Sequence, residues 1–232
     1  MLKKVFDLGF FNGDDTAYYL HKGYHVVAIE ANLRLVQAGK IRFEKEINEG
    51  RLVLLHRAFH DVSEEVVSFW MHPTNLDWST CDINKTKFWN CEPEECEVST
   101  ISFSQLRQEF GLPYYVKCDI EGFDYLLIRQ ISTMSEKPRY LSFELSRFDY
   151  FKTFSYLFVA GYCEFQLINQ AALVDESDFA FTKYSSGRFA EYLDDNWLSF
   201  DECLTRYMKY KELKAIDNKN LALGWVDIHA KL

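Results

Sequence analysis

A chain of 232 residues is the length of one domain with one core, and 48% hydrophobic against 26% charged residues excludes a disordered or low-complexity polymer. Lys plus Arg number 26 and Asp plus Glu 35, so the formal charge of −9 argues against DNA or RNA as the main partner and fits a cationic or neutral ligand. No run of 18 apolar residues is present and the opening residues lack a secretory apolar region, so a cytoplasmic protein without a membrane span is expected.

Residues 3–8 form a short β-type run that breaks at Gly9, and Gly13 precedes a helical stretch over 15–22 that Gly23 ends. Residues 24–30 read as a second buried strand ending in the carboxylate of Glu30. Asn32 caps a helix over 33–48 that stops at Gly50, and 51–59 make a third strand. Over 66–103 the pattern changes to short strands, 66–71 and 98–103, around a polar loop holding Trp and Cys. Ser104 caps a helix through Phe110, and 114–120 form a fourth main strand running into Glu121-Gly122 and a helix over 123–131. Strands over 139–145, 162–169 and 221–229, with a helix over 150–160, complete the chain. Such alternation predicts an α/β, doubly wound, mostly parallel sheet with helices on both faces, and places ligands at the carboxyl ends of its strands. We expect a single domain over 1–232, with excursions at about 66–103 and 171–220 as candidates for a substrate lid or an interface.

The first strand-to-helix turn, Asp7-Leu8-Gly9-Phe10-Phe11-Asn12-Gly13-Asp14-Asp15-Thr16, combines glycines that admit a ligand to the backbone with the free N–H groups of a helix start. Glu30, 21 residues after Gly9, is placed to accept the hydroxyls of an adenosine ribose. The full Gly-x-Gly-x-x-Gly fingerprint of NAD folds is absent. Asp14 and Asp15 at the helix start would repel a pyrophosphate and suit a cofactor without phosphate and with positive charge, namely S-adenosylmethionine. Methyl transfer is therefore favoured over an NAD-dependent oxidoreductase.

These segments resemble the FkbM family of S-adenosylmethionine-dependent methyltransferases. The loop Asp7 to Thr16 stands where that family has Asp-x-Gly-Ala-Asn-x-Gly-x-x-Thr, and Glu30-Ala31-Asn32 where its second strand ends in a Glu-Pro-like turn. Lys117-Cys118-Asp119-Ile120-Glu121-Gly122-Phe123-Asp124 stands where it has Lys-x-Asp-x-Glu-Gly-His-Glu, and the correspondence runs over roughly residues 3–145. The ending Trp225 to Ala230 and the loop Tyr184-Ser185-Ser186-Gly187 resemble one branch of the family. Departures are Phe10 for the small Ala, the asparagine displaced by one position to Asn12, and Phe123 for the usual His. The resemblance implies a Rossmann-like class I methyltransferase sheet with an antiparallel last strand, S-adenosylmethionine as cofactor, and O-methylation of a hydroxyl on a sugar, glycan or glycosylated metabolite. It also implies a cofactor site made by Asp7, Gly9, Phe10, Asn12, Gly13, Thr16, Glu30, Ala31, Asn32 and Asp119.

After the third strand, Ala58 and Phe59 are placed to contact an adenine ring and Asp61 its amino group. Lys117, Asp119 and Glu121 recur with period two and share a strand face near its carboxyl edge. They either line the reaction site or pair with one another to close the strand-helix junction. In the first case Asp119 is the cofactor- or acceptor-facing carboxylate and Glu121 a base or metal ligand, which leaves a divalent metal open as a further cofactor. Glu144 is a second acceptor-site candidate, His229 a structural histidine or a proton carrier, and His56 and His60 ordinary strand-end residues. Cys81, Cys91 and Cys96 lack zinc spacing and, with the other three cysteines, read as reduced thiols. Trp70, Trp78, Trp89 and Trp197 are candidates for stacking on sugar faces or for core packing. A catalytically silent scaffold of the same fold, and an oligomer, remain open.

Overall fold

A computed structural model describes residues 3–145, 150–217, 220–221 and 223–232. Its elements are β1 (Lys4–Leu8), α1 (Asp14–His21), β2 (His25–Glu30), α2 (Leu33–Arg42), α3 (Glu44–Asn48), β3 (Leu52–His56), β4 (Ala58–Phe59), β5 (Val66–Met71), α4 (Ile83–Thr86), β6 (Glu94–Ile101), α5 (Phe103–Phe110), β7 (Tyr115–Cys118), α6 (Asp124–Ser132), β8 (Tyr140–Glu144), α7 (Tyr150–Ala160), β9 (Glu164–Asn169), α8 (Phe200–Asp217) and β10 (Val226–Lys231). Seven strands form one sheet in the order β3-β2-β1-β7-β8-β10-β9. All neighbours pair in parallel except β10, which runs antiparallel to both β8 and β9. The sheet is therefore the doubly wound, Rossmann-like one expected, with its antiparallel last strand.

Strand alternation sorts the side chains between two covers. Phe6, Leu8, Val116, Cys118, Leu141, Phe143 and Ile228 pack on one side with Leu127 and Ile131 of α6, Phe154 and Leu157 of α7, and Cys203 and Tyr207 of α8. Val5, Val26, Ala28, Leu54, Tyr115 and Tyr140 pack on the other with Tyr18 and Tyr19 of α1, Val36 of α2, and Phe189. This second face also carries a polar row in register across five strands: Asp7 opposite Lys117, Lys117 opposite Ser142, Ser142 opposite His229, and His229 opposite Gln166. All five are buried. Charged groups survive there because they serve one another.

Several element bounds differ from expectation. The helix predicted over 33–48 breaks at Phe43, whose ring turns inward against Phe10 at 5.9 Å. The third strand splits at Arg57, because β4 leaves the main sheet to pair with β6 in a three-stranded sheet ordered β4-β6-β5. That small sheet is what the 66–103 excursion builds. The helix before β7 is capped by Ser102, whose side chain accepts from the Gln105 N–H at 3.2 Å, and not by Ser104. The excursion at 171–220 is not dispensable to the sheet, since α8 within it covers one face. The last strand begins at Val226, later than 221. Among the described residues, no helix is long and apolar enough to cross a membrane.

Candidate active site

The sheet's strand order reverses direction between β1 and β7, and a ligand crevice is expected outside the carboxyl ends of those strands. A cavity of about 510 Å³ opens there. It is lined by the β1–α1 loop (Gly9, Phe10, Phe11, Asn12, Asp15), the end of β2 (Glu30, Ala31), Ala58 and Phe59, the turn after β7 (Asp119, Ile120, Glu121, Phe123), Glu144, and residues of both excursions.

Gly9 makes the crevice geometrically possible. Its φ is +91°, and a β-carbon there would lie 1.9 Å from the backbone oxygen of Asp119. Its N–H and that of Phe10 both reach the Ile29 carbonyl, at 3.1 and 2.9 Å, which fastens the loop to β2. Glu30 closes the joint: its carboxylate accepts the Phe11 N–H and the Asn32 N–H, each at 2.8 Å. Burial raises its pKa, and those N–H groups oppose the rise. A carboxylate oxygen accepting one N–H retains a free lone pair, so Glu30 still has the capacity to receive two ribose hydroxyls.

Several of the expected cofactor residues hold the loop and do not line the cavity. Thr16 donates to the buried Asp7 at 2.6 Å. Asp7 is pushed up to about 7, chiefly by burial, with Lys117 opposing. Gly13, at φ +83°, leaves room for the rings of Phe10 and Phe43. Phe10 lines the cavity but sends its ring between Gly13 and Gly39, which explains how a large residue stands at a position where the family has alanine. Asn12 accepts from the Asp14 N–H at 3.0 Å ahead of α1, whose N-cap is Gly13, while Asn32 caps α2 through the Arg34 N–H at 2.9 Å. Ala31 lines the cavity and its carbonyl accepts from His56 at 2.9 Å. Asp61, expected at an adenine amino group, lies outside the cavity and pairs with Arg129 and Gln130 of α6.

The two acids at the start of α1 also have a different job from the one expected. Asp14 binds Arg42 at 2.8 Å and the Thr182 hydroxyl at 2.6 Å, and Asp15 accepts both the N–H and the hydroxyl of Ser186 at 2.7 Å. They dock the second excursion onto α1. Burial raises the Asp14 pKa, yet hydrogen bonds from Thr182, Arg42 and Asn12 together hold it below the usual carboxylate value. Their charge is thus largely answered within the chain, which weakens the argument from Asp14 to a cationic ligand.

Lys117 sits at the centre of the carboxylates, its Nζ 3.5 Å from Asp15, 3.7 Å from Asp119 and 3.8 Å from Asp7, while donating to the Gly9 carbonyl at 3.1 Å. Burial pulls its pKa down, but Asp119, Asp7, Asp15 and Asp227 outweigh burial and hold it well above the ordinary lysine value. It is a fixed cation that braces loop and strand, and it stands both beside Asp119 and on the cavity wall. The strand ends at Cys118, so the period-two argument fails beyond it: Glu121 has a φ of +50° and is turned by a tight bend. Asp124 accepts the N–H groups of Ile120 and Gly122 at 3.1 and 3.3 Å, which fixes that bend.

The bend gathers Asp119, Glu121 and Glu144, with carboxylate oxygens within 4.8 Å of one another. Burial, followed by Asp119 and Glu121, pushes Glu144 up to about 9, and burial with Asp119 pushes Glu121 to about 7 against the pull of Lys85. A divalent metal does not fit the trio as it stands, because the Lys85 ammonium is on the Glu121 carboxylate at 2.7 Å. His229 is buried away from the cavity with neither ring nitrogen hydrogen-bonded, and burial lowers it to about 3, so it is a neutral structural residue. His56 fastens the end of β3 to the Ala31 carbonyl, His60 packs its ring 6.4 Å from that of Phe123, and Cys91 meets His72 at 3.5 Å; all six cysteines are free thiols.

Sequence reasoning missed Phe11 and Lys183 at the cavity, and Lys85 beside it. Trp225, Tyr184, Ser185 and Ser186 also line it, and only their resemblance to one branch of the family pointed there. Of the four tryptophans proposed for stacking, Trp78 alone lines the cavity. Trp89 packs on His72 at 4.9 Å and Trp197 on Tyr140 at 6.0 Å.

The profile of the Methyltransferase FkbM domain matches residues 7–179, so the chain belongs to the FkbM methyltransferase family. No curated protein matches it. Among solved structures it is similar to the METTL16 MTase domain, with a TM-score of 0.39 and 10% identity over 72% of this chain and 54% of that one. It is also similar to the human methyltransferase 10 domain containing protein, with a TM-score of 0.43 and 11% identity over 77% of this chain and 68% of that one. A third is the precorrin-6y C5,15-methyltransferase from Geobacter metallireducens, with a TM-score of 0.41 and 13% identity over 78% and 75%. The chain spans about half the length of the first of these.

Proposed function

We propose that the protein transfers a methyl group from S-adenosylmethionine to a hydroxyl of a sugar, glycan or glycosylated metabolite. The observation that carries this reading is the cavity itself, which has the Gly9 loop and Glu30 on one side and the Asp119, Glu121 and Glu144 carboxylates on the other. Six acids line it, Asp15, Glu30, Asp77, Asp119, Glu121 and Glu144, against Arg57, Lys117 and Lys183; with Glu144 keeping its proton at neutral pH and Lys85 answering Glu121, the cavity carries no excess of positive charge, which disfavours nucleic acid.

Glu30 and the loop N–H groups would hold the nucleoside, with Ala58 and Phe59 beside its ring. Bound S-adenosylmethionine supplies a methyl already activated by its sulfonium, which leaves alignment and deprotonation of the acceptor to the chain. Asp119, whose side chain is 43% exposed, is available to the acceptor, and Glu121 with a pKa of about 7 is suited to take its proton at neutral pH. Six free thiols support a reducing, cytoplasmic setting.

Calorimetric titration with S-adenosylhomocysteine and, separately, NAD tests the reading. S-adenosylhomocysteine is expected to bind and NAD not, with Glu30→Gln weakening the former by about tenfold, the effect of one charge-assisted hydrogen bond. Absence of S-adenosylhomocysteine binding would favour a silent scaffold, and NAD binding an oxidoreductase.

A further inference from the structure

Three carboxylates with oxygens within 4.8 Å of one another repel unless a proton or a cation is shared among them. In oxygen-rich clusters that cation is commonly a divalent metal held by the carboxylates. Here one comes from the chain itself. Lys85 lies on the short helix α4, whose start is capped by Asp82 accepting from the Asn84 N–H at 2.9 Å. Its ammonium donates to Glu121 Oε2 at 2.7 Å, with side chains 37% and 26% exposed. It also interacts electrostatically with Asp124 and Glu144.

Gly122, at φ +104°, holds a backbone conformation that favours glycine, and the end of the Lys85 side chain lies against it, Cε 2.7 Å from where a β-carbon would stand. The Glu121 carbonyl is held separately by the Thr80 hydroxyl at 2.8 Å, so side chain and main chain of one residue are both fastened to the excursion. Residues 36 apart in the sequence thus meet by construction and not by the chance swing of a surface side chain.

We infer that Lys85 is the built-in cation of the carboxylate trio, a positioning residue that stands where a divalent metal would otherwise be held and that orients Glu121 as a carboxylate. Glu121's use as the acceptor's base rests on the methyl-transfer reading; Lys85's place as the trio's cation does not. The ammonium removes most of the trio's appetite for a metal, and removing the ammonium uncovers it.

The test uses Mn²⁺, a hard cation suited to oxygen ligands, titrated into the cofactor-free protein and followed by electron paramagnetic resonance of the free ion. The proteins are wild type, Lys85→Met, Lys85→Gln, Lys85→Arg and Lys85→Met with Glu121→Gln. Both neutral variants are expected to take up one equivalent of Mn²⁺ about tenfold more tightly than wild type, the effect of one removed neighbouring charge. Lys85→Arg should restore the weak binding of wild type, and adding Glu121→Gln should abolish the gain. Two neutral variants keep the test alive if one fails to fold, as circular dichroism would show. Tight binding by wild type that a further variant, Glu121→Gln alone, removes would overturn the inference by making the trio a metal site. Unchanged binding in both neutral variants would overturn it too. Neither cofactor nor acceptor is present, so a failure of the methyl-transfer reading shows only in the S-adenosylhomocysteine titration.

Discussion

Gly9 is held on two counts, a left-handed backbone and the Asp119 carbonyl where a β-carbon would stand. Gly9→Ala should cost more than about 2 kcal/mol, since strain and overpacking add, and urea denaturation with an unchanged slope would measure it. At the same scale, the raised carboxyls make stability depend on pH in a defined direction. A carboxyl whose folded pKa exceeds its unfolded value binds more protons when folded, so stability falls as pH rises between the two values. Asp124 at about 6 and Asp7 and Glu121 at about 7 have largely finished that loss by neutral pH, while Glu144 at about 9 continues it. The wild-type Tm should therefore still decline between pH 7 and 9, and Glu144→Gln should decline less over that window. Equal slopes would mean that Glu144 is not the proton holder of the trio. Glu30 and the Gly9 loop were legible because glycine and a strand-end acid have local meaning. The partners of Asp14 and Asp15 were not, because Thr182 and Ser186 are about 170 residues away along the chain.

Among the elements, the strands and helices of the main sheet follow from period and punctuation, and α7 and β5 fall on their predicted bounds. The second excursion did not, since its aromatic residues have no period and acquire meaning only by landing on α1. Phe189 sits 4.7 Å from both Tyr19 and Tyr115 and 5.3 Å from Tyr24, ring to ring. Phe189→Ala should cost about 3–5 kcal/mol by the lost burial and the cavity it leaves, read as a lower denaturation midpoint. It should also speed hydrogen exchange at Ser186, because its attachment to Asp15 depends on the same docked segment. A full-cost loss without faster exchange there would separate the aromatic anchor from the cavity wall.

For the whole molecule, the crevice at the reversal between β1 and β7 joins parts from the first 31 residues, the turn after β7, β8 and both excursions. A ligand filling it should tie these parts together and stabilise only the folded chain. S-adenosylhomocysteine at one hundred times its Kd should add about 2.7 kcal/mol, a Tm rise of about 2–4 °C for each kcal/mol, and no rise at saturation would contradict the proposed occupant of the cavity. Sequence alone determined the doubly wound sheet, because hydrophobic period and glycine turns are local properties, and a short motif carried the family resemblance that implied the antiparallel last strand. Tertiary structure decided that Lys117 is a brace among three carboxylates, that the acids of α1 serve docking, and that Lys85 reaches Glu121. These depend on which distant residues the fold brings within hydrogen-bond range, and charge–charge energies are set by that distance and by burial, neither of which a linear pattern contains.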